Sequence, residues 1–327
     1  MGKSNNTFND EKSFKEFSEE WLEYIRSFHK PSTHIKYRNI IYRYFLPVLG
    51  DSDSRAITNV SIEDIVSHVW DGEAGSPSQS TVRSVRSVYQ SIAKYCDIDI
   101  NPQMLRWQTL NNITTNKKHI STFSSKQQRQ LVNYLLTDSD KFKVGIILCL
   151  YSGLRIGEIC ALQTDDILLK EKKINVTRTV QRLSTSYESL DNRTNLVESP
   201  PKTPSSCREI PMCNFLCSIL PPYITDSKYF LGEDKPIDPR RYQYKFKKYQ
   251  EKLGFNVLNF HTLRHTFATN CISGGMDPKT LSVILGHSDV KTTLNRYVHP
   301  SDDFKLRQLN KCVKHFPVSE AVQMNTN

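Results

Sequence analysis

A tyrosine and several basic side chains lie close together in one stretch near the carboxyl end of the chain. His261, Arg264 and His265 recur at helical spacing. His287 closes an LGH triplet, and Tyr297 follows ten residues later. A phenol with a pKa of about 10 is a weak nucleophile at neutral pH and needs a base or a positive charge beside it. The pattern therefore predicts a site where cations hold a phosphate and the phenol attacks it.

A second candidate is the turn SGLRIGE, in which Arg155 stands between two glycines. Glu158 follows three residues later, so the two side chains share one helical face and the carboxylate can orient the arginine. A surface ion pair of small energetic value is the alternative. The apolar residues on both sides of the turn favour a buried site over a surface pair.

One lysine precedes a predicted strand in a proline-rich turn. Lys202 lies in PPKTPSS, directly before residues 206–212, which alternate like a strand. Residues 173–181 alternate in the same way, and 196–198 form a candidate middle strand. Taken alone, a lysine on such a turn is most simply a solvated side chain. The long polar segment 181–200 is either an insertion that contacts DNA or a partner, or a mobile loop.

Taken together, these segments resemble the tyrosine recombinases, the phage integrase family. The motifs occur in that family's order and spacing over roughly residues 122–315. Together they favour a functional role for Arg155, Lys202 and His287 over a purely structural or solvent-exposed one. The matching residues are Arg155 in SGLRIGE, Lys202 in PKTPSSCREIP, His261 and Arg264 in HTLRH, His287 in LGH and Tyr297 in NRYVH.

The resemblance implies a transesterification on DNA. Tyr297 would attack a scissile phosphodiester, form a 3′-phosphotyrosyl link and release a 5′-hydroxyl. Arg155 and Arg264 would clamp the non-bridging oxygens with their fixed forks and stabilise charge in the pentavalent transition state. Lys202 would be the general acid that protonates the leaving 5′-oxygen.

Further side chains complete the site that the resemblance implies. His261 would be the general base or a phosphate donor, and His287 a second hydrogen-bond donor. Glu158 would support the site from behind Arg155. His265, which directly follows the His261–Arg264 pair, is expected to be structural.

The sequence predicts neither a cofactor nor a metal. It has no nucleotide-binding loop and no acidic cluster for paired Mg²⁺ ions, and a phosphotyrosine link would conserve the bond energy without ATP. The eight cysteines form no CxxC pair. Cys207, Cys213 and Cys217 come nearest to a metal cluster, but no histidine lies near them. The cysteines are therefore expected to be reduced thiols.

The charge of the chain is positive and uneven. The net charge of the 327 residues is +10, of which residues 1–121 contribute only +1, from 15 basic against 14 acidic side chains. A basic remainder suits a polyanion such as DNA. Basic stripes on three predicted helices are expected to follow the DNA backbone, with solvated helix faces as the alternative. These positions are Lys36, Arg43, Arg83, Arg86, Lys94, Arg241, Lys245 and Lys248.

Apolar periodicity predicts a mostly α protein with a small antiparallel β-sheet. With the resemblance, the expected architecture is a two-domain clamp that closes around duplex DNA. It combines a SAM-like helical core-binding domain with a mixed α/β catalytic domain of the tyrosine-recombinase type. The expected bounds are 8–110 for the core-binding domain, 111–121 for the linker, 122–316 for the catalytic domain and 317–327 for a flexible tail.

The resemblance also implies the partners. We expect double-stranded DNA with a specific recombination site, and a homotetramer on two paired sites in which neighbours exchange the C-terminal helix. Apolar positions for that exchange are Phe304, Leu306, Leu309, Val313 and Phe316. No run of about 18 apolar residues and no signal peptide is found, so no membrane is expected and the cytoplasm is the predicted location.

The predicted function is site-specific recombination, for the integration or excision of a mobile element. A Xer-like resolvase or an invertase is the alternative within the family. A non-catalytic DNA-binding regulator is a third interpretation, but it would have no reason to keep Tyr297. A type IB topoisomerase shares the chemistry, although the helical first domain and the segment from LGH to NRYVH fit recombinases better.

Overall fold

The protein folds into two units that divide between Lys118 and His119. Each unit has its own hydrophobic core. Most of the predicted linker, the predicted tail and Lys202 lie outside the described residues. The ranges that the computed structural model describes are 12–69, 78–106, 120–184, 194–201, 203–298 and 302–313.

The first unit is helical. Its helices are α1 Phe14–Phe28, α2 Pro31–Ile40, α3 Leu46–Leu49, α4 Ile62–Ser67 and α5 Gln79–Tyr95. Trp21, Phe45 and Tyr89 are large side chains buried in its core. A capping box starts α4, where Ser61 and Asp64 exchange hydrogen bonds.

Residues 31–49 do not form one continuous α-helix. A π-helical turn, Ile41–Phe45, separates α2 from α3. Pro47 has no backbone N–H for an α-helical hydrogen bond to the residue four positions earlier, so the ladder widens just before it. Beyond this turn, Leu49 is buried and Val48 is half-buried.

The second unit combines helices with two small antiparallel sheets, which confirms the predicted fold class. Its helices are α6 Ser125–Leu135, α7 Lys141–Ser152, α8 Ile156–Ala161, α9 Asn214–Ile219, α10 Pro239–Lys252, α11 His261–Ser273, α12 Pro278–Leu285, α13 Val290–Tyr297 and α14 Asp302–Val313. Its strands are β1 Ile167–Leu168, β2 Lys173–Val176, β3 Thr179–Ser184, β4 Thr194–Ser199 and β5 Arg208–Pro211. None of the helices in the described ranges is long and apolar enough to span a membrane.

The predicted strand 173–181 was wrong as a single strand, because its residues belong to two sheets. β1, β2 and β5 form one antiparallel sheet, in which Val176 lies opposite Arg208. β3 and β4 pair separately as an antiparallel hairpin. The reason lies in α8, which packs on the start of β3 at Gly157. A Cβ on that glycine would lie 2.6 Å from the carbonyl oxygen of Val180, so helix and strand backbones approach closely.

β3 and β4 include residues 181–184 and 194–199 of the polar segment 181–200. The candidate middle strand 196–198 is confirmed as part of β4. The tip of the hairpin, residues 185–193, lies outside the described residues.

Two glycines in the left-handed region shape the turns of the second unit. Gly153 ends α7 with φ of +69°, and Gly286 ends α12 with φ of +67°. A Cβ on Gly153 would come within 2.8 Å of side-chain atoms of Phe267 and Leu285. The turn after α7 therefore packs directly against α11 and α12, and it places Arg155 at the N-cap of α8.

Candidate active site

Arg155 lies where the start of α8 meets the end of α12. Its backbone N–H and its Nη1 donate to Glu158 at 2.8 and 2.7 Å, and its Nη2 donates to the carbonyl of Gly286 at 3.1 Å. The side chain is 34% exposed. Its Nε and one hydrogen on each terminal nitrogen have no acceptor within the described ranges. These N–H groups are available to an anion that arrives from solvent.

Arg264 is fully buried beside the same turn. Its Nη1 donates to the carbonyl of Gly153 at 2.8 Å, and its Nη2 donates to the carbonyl of Leu285 at 2.7 Å. Burial, together with the positive charge of Arg155, lowers the pKa of this guanidinium to about 9, so it stays charged at pH 7. Two neighbouring cations of which one is buried form an unfavourable arrangement that a bound anion would relieve.

Tyr297, at the end of α13, is buried against α11. Its Oη lies 2.7 Å from Nδ1 of His265. Burial raises the pKa of the Tyr297 phenol, and burial with the nearby Arg296 lowers the pKa of His265 to about 4. Both groups are therefore neutral at pH 7, and one hydrogen is shared between Oη and Nδ1. The histidine that was expected to be structural is thus in direct contact with the phenol.

The other two histidines flank this pair. The His261 ring lies edge-on to the His265 ring, with centroids 4.6 Å apart, and it is the most exposed of the three. Nδ1 of His287 lies 2.8 Å from Oγ1 of the buried Thr293. Burial and then Arg264 lower the pKa of His287 to about 4, so this ring is neutral at pH 7. With Nδ1 engaged by the threonine, Nε2 is the nitrogen left to meet a ligand.

Comparison with known families identifies the chain. The model described as "Phage integrase family" matches residues 121–303, and the model described as "Phage integrase, N-terminal SAM-like domain" matches residues 13–69. The chain belongs to the phage integrase family. It is therefore a tyrosine recombinase with a SAM-like N-terminal domain and a catalytic domain, as the motifs predicted.

Several characterised members of the family are similar in sequence. A "Tyrosine recombinase XerC-like" protein of Caldanaerobacter subterraneus is 25% identical over 314 residues, which cover 85% of this chain and 77% of that protein. Transposase A from transposon Tn554 of Staphylococcus aureus is 29% identical over 212 residues, covering 60% of this chain and 53% of the transposase. The ICEBs1 integrase of Bacillus subtilis is 23% identical over 288 residues, covering 83% and 74% of the two chains.

Solved structures share the fold of this family member. The Tn1549 transposon integrase, in complex with a circular intermediate DNA, superposes with a TM-score of 0.72 and 21% identity, covering 92% of this chain and 99% of that one. A lambda integrase tetramer bound to a Holliday junction gives a TM-score of 0.59 and 12% identity, covering 90% and 81%.

A third arginine of this family member joins the site, and sequence reasoning missed it. Both terminal nitrogens of Arg208 donate to Glu158 at 3.0 Å, and its Nε donates to the carbonyl of Ile284 at 2.6 Å. Burial alone would raise the pKa of the Glu158 carboxyl, but Arg208 and Arg155 hold it below its ordinary value. Strand alternation was the available signal, because Arg208 lies two residues before the buried Ile210 and faces the same side.

The residues expected to contact DNA differ in what they touch. Arg86 donates to the carbonyl of Leu105, and its Nε is buried without a partner in the part of the chain that the structure describes. The Nζ of Lys245 lies 3.7 Å from the centroid of the Phe142 ring. Both side chains are partly engaged within the protein. The exposed members of the set are Lys36, Arg43, Arg83, Lys94, Arg241 and Lys248.

Two further predictions concern residues around β5. Lys202 lies outside the described residues, so its placement relative to the arginines stays a prediction. Cys207, Cys213 and Cys217 are free thiols. Over the described ranges, no group of three or more histidine, cysteine or acidic side chains is arranged to hold a metal ion.

Proposed function

We propose that this family member is a site-specific DNA recombinase that cuts and rejoins strands through a covalent link between Tyr297 and a 3′-phosphate. The position of the phenol supports the proposal most directly. Burial raises the pKa of Tyr297, and the nearby Arg264, Arg296 and Arg155 act in the opposite direction. A phenol within reach of several cations is suited to attack a phosphodiester, because those cations stabilise both the developing phenolate and the phosphate.

The proposed reaction is a transesterification without a cofactor. The scissile phosphate binds between Arg155 and Arg264, whose charges stabilise the pentavalent transition state. The bond from Tyr297 Oη to phosphorus forms as the bond from phosphorus to the 5′-oxygen breaks. Lys202 is the proposed donor of the proton that the leaving oxygen takes up. Reversal of the same steps with a different 5′-hydroxyl rejoins the strand.

The proton of the attacking phenol needs an acceptor. His261 was the candidate from the sequence, but Nδ1 of His265 is the ring nitrogen in contact with the phenol, at 2.7 Å. His265 is therefore the proposed first acceptor. A bound phosphate adds negative charge beside this neutral ring, and an opposite charge nearby raises the pKa of a histidine. His261 and His287 then serve as hydrogen-bond donors to the phosphate.

Glu158 is proposed to hold the Arg155 side chain in place through its hydrogen bonds. The exposed basic residues of α2, α5 and α10, with those of the turn after α2, are proposed to contact DNA backbone phosphates. The Tn1549 integrase and lambda integrase complexes with DNA support this reading. The proposed domain bounds remain 8–110 and 122–316, with 111–121 as the linker.

A homotetramer on two paired sites is the proposed working assembly. Leu306 and Leu309 on α14 are 58% and 57% exposed, as expected of a helix that docks on a neighbour. A structural relative, lambda integrase, forms a tetramer bound to a Holliday junction, which supports the proposed tetramer. A cytoplasmic location stays a prediction.

Integration or excision of a mobile element is the proposed biological event, supported by the transposon relatives. The XerC-like relative supports a resolvase as the second candidate. The two differ in where the DNA site lies. An integrase acts at the ends of the element that encodes it, whereas a resolvase acts at a site on the replicon it resolves.

Covalent capture tests the proposal. The protein is incubated with a pool of nicked duplexes that tile its own gene, the flanking DNA and the rest of the host genome, and the protein-linked strands are sequenced. We expect adducts at a few discrete sites with the wild type and none with Tyr297→Phe. Adducts at the ends of the element support integration, and adducts at one distant site support resolution. DNA binding without any adduct would contradict the proposed activity.

A further inference from the structure

Three arginines hold three consecutive backbone carbonyls at the end of α12. Arg208 Nε donates to the carbonyl of Ile284 at 2.6 Å. Arg264 donates to the next carbonyl, of Leu285, and Arg155 to the one after that, of Gly286, as described above. The last carbonyls of a helix have no partner within the helix and mark the negative end of its dipole. Cations there stabilise the helix end, and the helix end in turn fixes the cations.

Glu158 is saturated by donors from two of these arginines. Arg155 supplies its backbone N–H and one Nη1 hydrogen, and Arg208 supplies one hydrogen from each terminal nitrogen. A carboxylate offers about four acceptor positions, and all four are used. Because Arg208 occupies two of them, Arg155 cannot form its own bidentate pair with Glu158. Its remaining N–H groups stay turned toward solvent.

Arg208 also fixes the turn that ends α12. A Cβ on Gly286 would lie 3.0 Å from Cδ of Arg208 and 3.0 Å from the carbonyl oxygen of Ser205. Arg208 Nη1 donates to the carbonyl of Ser206 at 3.1 Å, and the side chain is 4% exposed. The arginine is thus packed against Gly286, whose carbonyl accepts from Arg155 and which directly precedes His287.

We propose that Arg208 is a positioning residue that aims Arg155 at the scissile phosphate. It does so by occupying Glu158 and by fixing the Gly286 turn, and it does not touch DNA itself. This inference rests on the proposed recombinase function. A simple core ion pair is the competing explanation, but such a pair by itself adds little stability, and it would not account for three arginines on three successive carbonyls.

The consequence for Arg155 follows from the geometry. A lysine at position 208 keeps the charge but has one nitrogen in place of a fork, so it leaves part of Glu158 free. Arg155 can then rotate into a bidentate pair with Glu158 and away from the Gly286 carbonyl. A misplacement of about 1 Å in a group that holds the reacting phosphate slows chemistry by up to about a hundredfold.

A double-mutant cycle between Arg208→Lys and Arg155→Lys tests the proposal. The rate of covalent adduct formation is measured in single turnover with excess protein on a captured nicked site, at a temperature where circular dichroism shows each variant folded. We expect Arg208→Lys to slow adduct formation about tenfold to a hundredfold with unchanged DNA affinity. In the Arg155→Lys background, Arg208→Lys should slow adduct formation by less than about threefold. The reason is that the side chain that Arg208 positions, Arg155, is absent there.

Arg178→Lys is the matched control. Arg178 is another arginine of the second unit, held by Asp166 at 2.7 Å and Glu198 at 3.7 Å, and it donates to none of the three carbonyls. Its variant should react within about twofold of the wild type. Arg208→Gln is the second variant for the cycle if Arg208→Lys does not fold.

Equal rate losses in both backgrounds, or failure of both Arg208 variants to fold, would assign Arg208 to the core and overturn the proposal. A wild-type protein that forms no adduct would instead refute the recombinase function itself. The two failures are therefore distinguishable.

Discussion

The contact between His265 and Tyr297 is the feature of single residues that most affects the proposed chemistry. The sequence contained a signal for it, since His261 and His265 are four residues apart and share a helical face. Which of the two touches the phenol depends on how α11 is rotated against α13, and no local pattern encodes that rotation. The motifs that contain Arg155, Glu158, Arg264, His287 and Tyr297 can be recognised from local sequence, whereas Arg208 required knowledge of a strand pairing.

Replacing His265 separates its two possible contributions. In His265→Asn an amide oxygen can still accept from the Tyr297 hydroxyl, but the side chain has no useful basicity. In His265→Phe both abilities are lost. If His265 takes the proton, both variants should form adduct about a hundredfold or more slowly, in the range of general-base effects. If Asn retains most of the wild-type rate, His265 only orients the phenol. Single-turnover adduct formation is the measurement, with melting temperatures to show that both variants fold.

The buried histidines also predict a pH dependence of stability. The pKa values of His265 and His287 are lowered from 6.5 to about 4 in the folded protein. Between these values the unfolded chain binds more protons than the folded one, so stability increases with pH there. The contribution is fully present above pH 6.5 and is lost as the pH falls toward 4.

Thermal melting between pH 4 and pH 8 checks this expectation. The wild type should melt at a progressively lower temperature below pH 6.5, and the slope should be shallower in a His265→Gln, His287→Gln double variant. At pH 8 these histidines are neutral in both the folded and the unfolded chain, so the melting temperatures at pH 8 provide the reference. Equal slopes in the two proteins would contradict the assigned burial of the histidines.

At the scale of elements, the ends of helices decide where the site forms. The mostly α character could be predicted from the sequence, because apolar periodicity is a local signal. The π-helical turn before Pro47 and the division of 173–181 between two sheets were not predicted. The first follows from the missing backbone N–H of Pro47, and the second from the close packing of α8 on β3. The left-handed glycines after α7 and α12 matter most, because they bring carbonyls of both turns to the arginines.

Gly286→Ala tests the turn at the end of α12, with Gly254→Ala as its control. Both glycines have φ near +68°, but a Cβ on Gly254 would meet nothing within 4 Å, whereas one on Gly286 would meet Arg208 and Ser205 at 3.0 Å. The left-handed backbone should cost each variant about 1–2 kcal/mol in free energy of unfolding. Only Gly286→Ala should be destabilised further and lose most of its cleavage rate. Denaturant unfolding and adduct formation are the measurements, and equal behaviour of the two variants would be a contradiction.

At the scale of the whole molecule, a positive charge of +10 is the property that bears on DNA binding. Release of counterions from about six or more phosphates would reduce affinity roughly a thousandfold between 50 and 200 mM salt. The charge was readable from composition. The sequence did not show which basic residues are free to contact phosphates. Arg83 and Arg86, for example, lie on the same predicted helix, and only their packing distinguishes them.

Arg83→Ala and Arg86→Ala form a matched pair on α5. Arg83 is exposed, whereas Arg86 donates to the carbonyl of Leu105. If Arg83 contacts a phosphate, its loss should reduce the slope of log affinity against log salt by about 1. Loss of Arg86 should lower the melting temperature and leave the slope almost unchanged. Titrations of duplex DNA at several salt concentrations measure both slopes, and the reverse pattern would exchange the two assignments.

The central claim is that Tyr297 forms the covalent bond to DNA. The most direct measurement is mass spectrometry of the protein–DNA adduct after digestion with protease and nuclease. We expect one modified peptide, containing Tyr297 linked through its phenol oxygen to a 3′-phosphate, with a free 5′-hydroxyl on the released strand. A nucleotide on any other residue, or a link to a 5′-phosphate, would contradict it.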